Sequence, residues 1–268
     1  MKIDVFDLEG KPTEKIDLPE VFEEPIREDL ILRAFLAIIS KKIQPFGVNV
    51  LAGKRTSAHY HSLRRYRFTM MSREMARMPR IHGRGVTPFL TWQARFVPQA
   101  RKGRRAHPPK VEKIWTQKIN KKERRKAIRS AIAATAKKEL VLKRGHKVEE
   151  IKELPIVVED KIQEIKKTKE LVEFLKKIGL EKELERTKKK KIRAGKGRKR
   201  GRKYKTKTGP LIVVTEDKGI KKAAKNLSGT NVCRIENLSI EALAPGAAAG
   251  RLTIFSKSTI EKANEFFR

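Results

Sequence analysis

The 268-residue chain has one cysteine, Cys233. An intramolecular disulfide and a cysteine-based zinc site are thereby excluded. Its neighbours Val232 and Ile235 are apolar, so a buried core thiol is expected there. No apolar run is long enough to span a bilayer, and the N-terminus lacks the basic-then-apolar layout of a secretory signal. A membrane partner is therefore not expected, and the expected compartment is the cytoplasm. A glycine-rich dinucleotide fingerprint is also missing, because Gly10 is followed by Lys11 and Pro12.

Acidic residues are scarce, and unevenly so. Against 66 Lys+Arg stand 31 Asp+Glu, a net charge of +35. A polymer this cationic gains affinity by releasing counterions from a polyanion. Residues 45–109 carry two Lys and twelve Arg against one acid, Glu74, and residues 188–207 carry nine Lys and four Arg against none. These 85 residues hold +26 of the charge, and the other 183 only +9. A nearly ordinary globular body thus bears two basic segments.

The body reads as an alternation of strands and helices. Ile3 to Phe6 is a strand candidate. Leu30, Ala34, Ile38 and Ile39 recur at helical spacing over 28–43, with acids in the first turn and lysines in the last. Asn120 is placed to cap a helix running to about residue 140, with Ile128, Ala131, Ile132 and Thr135 inward. Strands follow at 156–158, 211–214, 231–235 and 252–255. Helices lie between them, the first closed by Gly179 and the second by Gly229. Ser258 and Glu261 match a capping box for a terminal helix with Ile260, Ala263 and Phe267 inward. Strands apolar on both faces and separated by helices indicate an α/β fold. The expected form is doubly wound, with a mostly parallel sheet, helices on both faces and a long basic irregular loop interrupting it.

The first basic segment shows no sustained period, and glycine and proline recur through it. Strong arginine self-repulsion and low apolar content predict that it does not fold on itself without a polyanion. Arg exceeds Lys six to one, which suits bidentate phosphate contact and stacking. Tyr60, Tyr66, Phe68, Phe89, Trp92 and Phe96 are interleaved, as stacking on unpaired RNA bases requires. The candidate RNA-binding residues begin with Lys54, Arg55, Tyr60, Arg64, Arg65 and Arg67. They continue with Arg73, Arg77, Arg80, Arg84 and Arg95, then Arg101, Lys102, Arg104 and Arg105. An extended hairpin of this segment reaches at most ~100 Å, from roughly 30 residues each way.

The second segment adds Lys196, Arg198, Lys199, Arg200, Arg202 and Lys203. Its glycine spacing is wrong for a Walker loop, and a flexible phosphate clamp is the better reading. His59, His61, His82 and His107 have no carboxylate nearby to orient them or hold a metal, so RNA contact is expected instead. Glu159-Asp160 and Glu216-Asp217 end two strands, and read as caps or surface charge with a weaker catalytic alternative. No enzyme activity, protein-bound metal or cofactor is expected, apart from structural Mg ions of an RNA. The alternatives are an RNA-processing enzyme, another RNA-binding protein, and a chromatin-like DNA binder.

An ordered set of motifs narrows these readings. It comprises Gly53-Lys54-Arg55-Thr56-Ser57-Ala58, Arg77-Met78-Pro79-Arg80 with Gly83-Arg84-Gly85, and Lys102-Gly103-Arg104-Arg105-Ala106-His107-Pro108-Pro109. Asn120-Lys121-Lys122-Glu123-Arg124-Arg125-Lys126-Ala127, Gly195-Lys196-Gly197 leading to Arg202-Lys203-Tyr204, and Leu243-Ala244-Pro245-Gly246 follow. Over essentially its whole length the chain resembles the family of the fourth protein of the large ribosomal subunit, in its archaeal/eukaryotic form. The 188–207 segment and the Lys-rich 140–190 region are extra charge relative to the bacterial pattern.

The resemblance implies a globular body of residues 1–44 and 111–268. It also implies an RNA-penetrating loop at 45–110, and the charge pattern adds the basic segment 188–207 on the body. The resemblance further implies large-subunit ribosomal RNA and neighbouring ribosomal proteins as partners. The tip, near Arg77, Met78, Arg80, Gly83, Arg84 and Gly85, is expected to line the peptide exit tunnel and meet the nascent polypeptide. No homo-oligomer is expected.

Overall fold

The computed structural model describes residues 2–65, 69–81 and 92–267. Two compact units emerge, Met1–Lys42 with Thr116–Arg268, and Ile43–Trp115. Among the described residues, the first contains every regular element. In chain order these are β1 (Lys2–Phe6), β2 (Pro12–Asp17), α1 (Glu28–Lys41), α2 (Lys121–Ala136), α3 (Lys138–Lys143), β3 (Ile156–Val158), α4 (Thr168–Lys177) and α5 (Glu181–Lys188). Then come β4 (Lys191–Ile192), α6 (Lys196–Lys199), β5 (Tyr204–Lys205), β6 (Leu211–Val214), α7 (Ile220–Lys225), β7 (Asn231–Arg234), α8 (Ile240–Leu243), β8 (Thr253–Ser256) and α9 (Lys257–Phe266).

Six strands form one sheet in the order β2-β1-β3-β8-β6-β7, and only the β1–β2 pair is antiparallel. Every residue of β3, β6 and β8 is buried, as expected of parallel strands covered on both faces. Alternation sorts their side chains. Val157, Leu211, Val213 and Phe255 join Ile31, Ala34, Ala131 and Ile260 in one core layer. Ile156, Val158, Ile212, Val214 and Ile254 join Leu171, Leu175, Ile220 and Leu184 in the other. Helices therefore pack on both faces, and the α/β architecture read from the sequence holds.

Local details differ from the sequence reading. The strand β2 went unread because PTEKID has no apolar alternation. It exists as a charged edge strand, reached through Gly10 at φ +79° and paired Asp4↔Lys15. On α1 the fully buried residues are Ile31, Ala34, Ala37 and Ser40; of the expected stripe Ala34 is among them, and Leu30 and Ile38 pack against the core partly buried. The helix from Asn120 stops at Ala136, where Lys137 turns extended and α3 begins; Asn120 makes no side-chain cap bond. Cys233 is half-buried on the edge strand β7 rather than in the core, and burial pushes its thiol up.

The capping box is replaced by a cap from another segment. Asp160 Oδ1, at the end of β3, accepts from the Ser258 amide at 3.1 Å and from its hydroxyl at 2.6 Å. Ser256 Oγ instead pairs with Thr259 Oγ1 at 2.6 Å.

Candidate nucleic-acid interface

Unit Ile43–Trp115 has no regular helix among its described residues, yet it folds back on itself, contrary to the expectation drawn from charge repulsion. Three chain passes lie side by side, linked by antiparallel bridges His59↔Arg80 and Arg80↔Ala94. Backbone bonds Ile81 N–H to Gln93 O (3.1 Å) and Arg95 N–H to Pro79 O (3.0 Å) extend the contact. Met70 is wholly buried beside them. Two outer passes close the stem. Val48 N–H donates to Pro109 O at 3.3 Å, and Phe46 stacks on Trp115 with centroids 5.2 Å apart. Close approach fixes two glycines. A Cβ on Gly53 (φ +75°) would stand 2.6 Å from the Arg104 Cα, and one on Gly103 would stand 1.9 Å from the Val97 carbonyl oxygen.

The cations divide into two groups by what their guanidinium groups do. Arg80 donates to Trp92 O at 2.8 Å and Ala76 O at 3.0 Å. Arg95 donates to Arg101 O at 2.9 Å, Ala94 O at 3.1 Å and Gln93 Oε1 at 2.6 Å. These two hold backbone passes together, the work a polar core does in a segment with few apolar side chains. Arg104 is half-buried at the Gly53 crossing. Lys54, Arg55, Arg64, Arg65, Arg73, Arg77, Arg101, Lys102 and Arg105 are exposed, as is Tyr60. The Arg73 guanidinium lies 4.7 Å from the Trp92 ring centroid. Met78 is partly buried. Arg67, Gly83, Arg84 and Gly85 lie outside the described residues, as do Tyr66, Phe68, His82 and Phe89.

The second basic segment is a hairpin. β4 and β5 pair antiparallel, Lys191↔Lys205 and Ile192↔Tyr204, and Arg193 N–H donates to Lys203 O at 2.8 Å. Its tip is the single turn α6, entered through Gly195 at φ +78° and left through Gly201 at φ +80°. Lys196, Arg198, Lys199, Arg200, Arg202 and Lys203 are all exposed there. The segment expected as a phosphate clamp thus has the form of a short two-stranded ribbon.

The ribbon's base is tied to a buried network. His146 Nδ1 lies 2.7 Å from Glu183 Oε1, and the Lys147 amide donates to Glu183 Oε2 at 3.1 Å. Arg186 grips both oxygens of that carboxylate at 2.7 Å and reaches Thr208 O at 2.6 Å. Burial alone would raise Glu183, but the bonds from Arg186 and His146 hold it below the usual carboxylate range. Burial pushes His146 down, against the pull of Glu183. Nearby, Arg251 is 2% exposed and donates to the carbonyls of Gly209 (2.9 Å), Gly229 (3.2 Å) and Ala242 (2.7 Å) and to Asn231 Oδ1 (2.6 Å). Burial lowers its pKa to about 10, so it stays charged at neutral pH. Arg144 donates to the carbonyls of Pro245 and Ala248, fixing the Pro245-Gly246 turn.

One cluster was missed as a candidate surface. Lys118, Lys121, Lys122, Arg124, Arg125 and Lys126 are exposed around the start of α2. Cations oppose the dipole at a helix N-terminus, so the helix itself does not account for them there. These residues lie beyond the Arg-rich segment, where Glu112 and Glu123 dilute the local charge.

The strand-end aspartates are engaged as caps, while Glu159 pairs with Lys161. Asp160 holds Ser258 and accepts from Gln163 Nε2 at 3.1 Å. Asp217 Oδ1 accepts from the amides of Gly219 (3.2 Å) and Lys221 (3.3 Å) at the start of α7. The His59 and His61 rings pack edge to face, 4.2 Å apart. Among the described residues no group of three or more His, Cys, Asp or Glu is placed to hold a metal. No described helix is long and apolar enough to cross a membrane.

Residues 16–266 match the ribosomal protein L4/L1 family. The chain belongs to that family. It is 48% identical over 268 residues to the large ribosomal subunit protein uL4 of Methanosphaera stadtmanae, covering all of this chain and 98% of that one. It is 47% identical over 266 residues to the uL4 protein of Nanoarchaeum equitans, covering 99% and 98%. With the uL4 protein of Archaeoglobus fulgidus the identity is 45% over 267 residues, covering 99% of each chain. The family resemblance read from the motifs is therefore correct, and the family is a structural, non-enzymatic one.

Proposed function

We propose that this chain is a structural constituent of the large ribosomal subunit, working in the cytoplasm within the ribosome. It binds large-subunit ribosomal RNA, supports the folding and assembly of that RNA, and lies against neighbouring ribosomal proteins. The segment 45–110 penetrates the RNA. Its tip, about Arg77 to Gly85, helps line the peptide exit tunnel and meets the nascent polypeptide. The chain acts as a single copy and needs no cofactor of its own beyond the Mg ions of the RNA.

One observation carries this reading. Two segments hold +26 of the net charge, and the ion pairs among the described residues all lie outside both. Among the described residues, their exposed cations form no ion pair with a carboxylate of the chain, and a polyanion is the partner that would neutralise them. Arg80 and Arg95 serve as scaffold, and the exposed Lys and Arg side chains of both segments make the phosphate contacts.

Deleting residues 50–105 tests the reading. The body is expected to fold and remain soluble, because its two core layers include no residue of that segment. Large subunits carrying the deletion are expected to assemble poorly or to have a malformed tunnel, seen by gradient sedimentation and cryo-electron microscopy. Normal assembly with an unchanged tunnel overturns the assignment.

A further inference from the structure

The hairpin of β4 and β5 has two different faces. Residues directly opposite on an antiparallel pair share a face, and successive residues alternate. Lys191 and Lys205 therefore share one face, and Ile192 and Tyr204 share the other. Ile192 and Tyr204 are the two large apolar side chains in residues 188–207. The register sets them side by side, yet they are 56% and 52% exposed. No core uses them.

Two lysines directly opposite destabilise a ribbon, and a lone two-stranded hairpin is marginal in water. An anion between Lys191 and Lys205 removes that repulsion. Lys203 leaves the strand on the lysine face by the same alternation, but its long side chain brings the ammonium to 5.5 Å from the Tyr204 ring centroid. A phosphate-seeking charge thus stands beside a ring able to stack, the two halves of a nucleotide's recognition. The surrounding cations select an anionic partner, and RNA, the partner of the reading above, also offers the flat apolar faces of its unpaired bases.

We propose, resting on the RNA-binding reading above, that this hairpin is a nucleotide-reading ribbon. Tyr204 and Ile192 stack one unpaired RNA base, Lys203 holds its phosphate, and Lys191 and Lys205 hold the backbone on the opposite face.

The test uses two labelled synthetic RNA stems, identical except for one unpaired adenosine bulge. Each is titrated by fluorescence anisotropy with the full-length wild type, Tyr204→Phe, Tyr204→Thr and the Lys191→Gln/Lys205→Gln double variant. Threonine keeps strand propensity, so its effect is not loss of the ribbon. The wild type and Tyr204→Phe prefer the bulged stem. Tyr204→Thr loses roughly 5- to 100-fold on the bulged stem, with unchanged affinity for the paired stem and an unchanged salt slope. The lysine double variant weakens both stems alike. The proposal is overturned if Tyr204→Thr binds the bulged stem like the wild type, or if the wild type binds both stems equally. In those outcomes RNA binding itself still stands. A wild type that binds neither stem overturns both.

Discussion

His146 Nδ1 and Glu183 Oε1 meet at 2.7 Å with both side chains buried, and the same carboxylate is gripped by Arg186, which also holds Thr208 O at the foot of the basic hairpin. The body thereby sets where a strongly charged ribbon leaves it. Glu183→Ala removes the acceptor and leaves Arg186 without its counter-charge. Breaking a buried pair by removing one partner costs roughly 3–5 kcal/mol. Urea unfolding at neutral pH is expected to show that loss, and amide exchange at Thr208 and in β5 is expected to rise.

The same network makes stability depend on pH, and the sign follows from its two groups. Burial lowers His146, so below its ordinary value of 6.5 the unfolded chain takes up a proton that the folded chain refuses. Protonation would also add an N–H at Nε2, which is buried without a hydrogen-bond partner. Glu183 is lowered too, so its contribution is present above 4.5 and lost as pH falls through its folded value. Both groups destabilise the fold in acid. The urea midpoint is expected to fall as pH drops below about 6.5, and to fall less steeply in His146→Asn.

Arg251 bonds four backbone carbonyls at three places, Gly209-Pro210, Gly229 and Ala242, and also the Asn231 side chain. A lysine offers one compact ammonium and cannot reproduce that fork. Arg251→Lys and Arg251→Met are both expected to destabilise the body by about 3–5 kcal/mol, because buried carbonyls lose their donors. Equal denaturant midpoints for the wild type and Arg251→Lys would show that the fork is not what matters.

Arginines of the 43–115 unit are expected to separate by role. Arg80→Gln frees the Trp92 and Ala76 carbonyls, and limited proteolysis is expected to nick the unit faster. Arg77 is exposed, so Arg77→Gln leaves the cleavage rate unchanged and weakens RNA binding alone. Identical cleavage of both variants contradicts the scaffold role of Arg80.

Replacing Lys196, Arg198, Lys199, Arg200, Arg202 and Lys203 by glutamine is expected to flatten the salt dependence of RNA binding. Each cation on a phosphate contributes roughly 0.7–0.9 to the slope of log K against log salt. Affinity series across salt concentrations measure it directly. An unchanged slope places the hairpin away from the RNA.

The residues also show where sequence reading works. The strands β3 and β6 were legible because parallel strands covered on both faces are continuous apolar runs. Ile260, Ala263 and Phe267 were legible because burial selects one helical face. The β4–β5 ribbon was not, since its register is made almost entirely of cations and only Ile192 and Tyr204 mark a face. The self-contacts of the 43–115 unit were hidden for a related reason. They join arginine guanidinium groups to backbone carbonyls, which any residue supplies. Asp160 capping α9 from 98 residues away leaves no local pattern.

RNA crosslinking in cells, with sequencing of the bound fragments and mapping of the crosslinked peptides, tests the central claim most directly. The account predicts that the fragments come from large-subunit ribosomal RNA, and that the crosslinked peptides fall in 43–115 and 188–207. Fragments scattered over other RNAs, or crosslinks confined to the rest of the body, would contradict it.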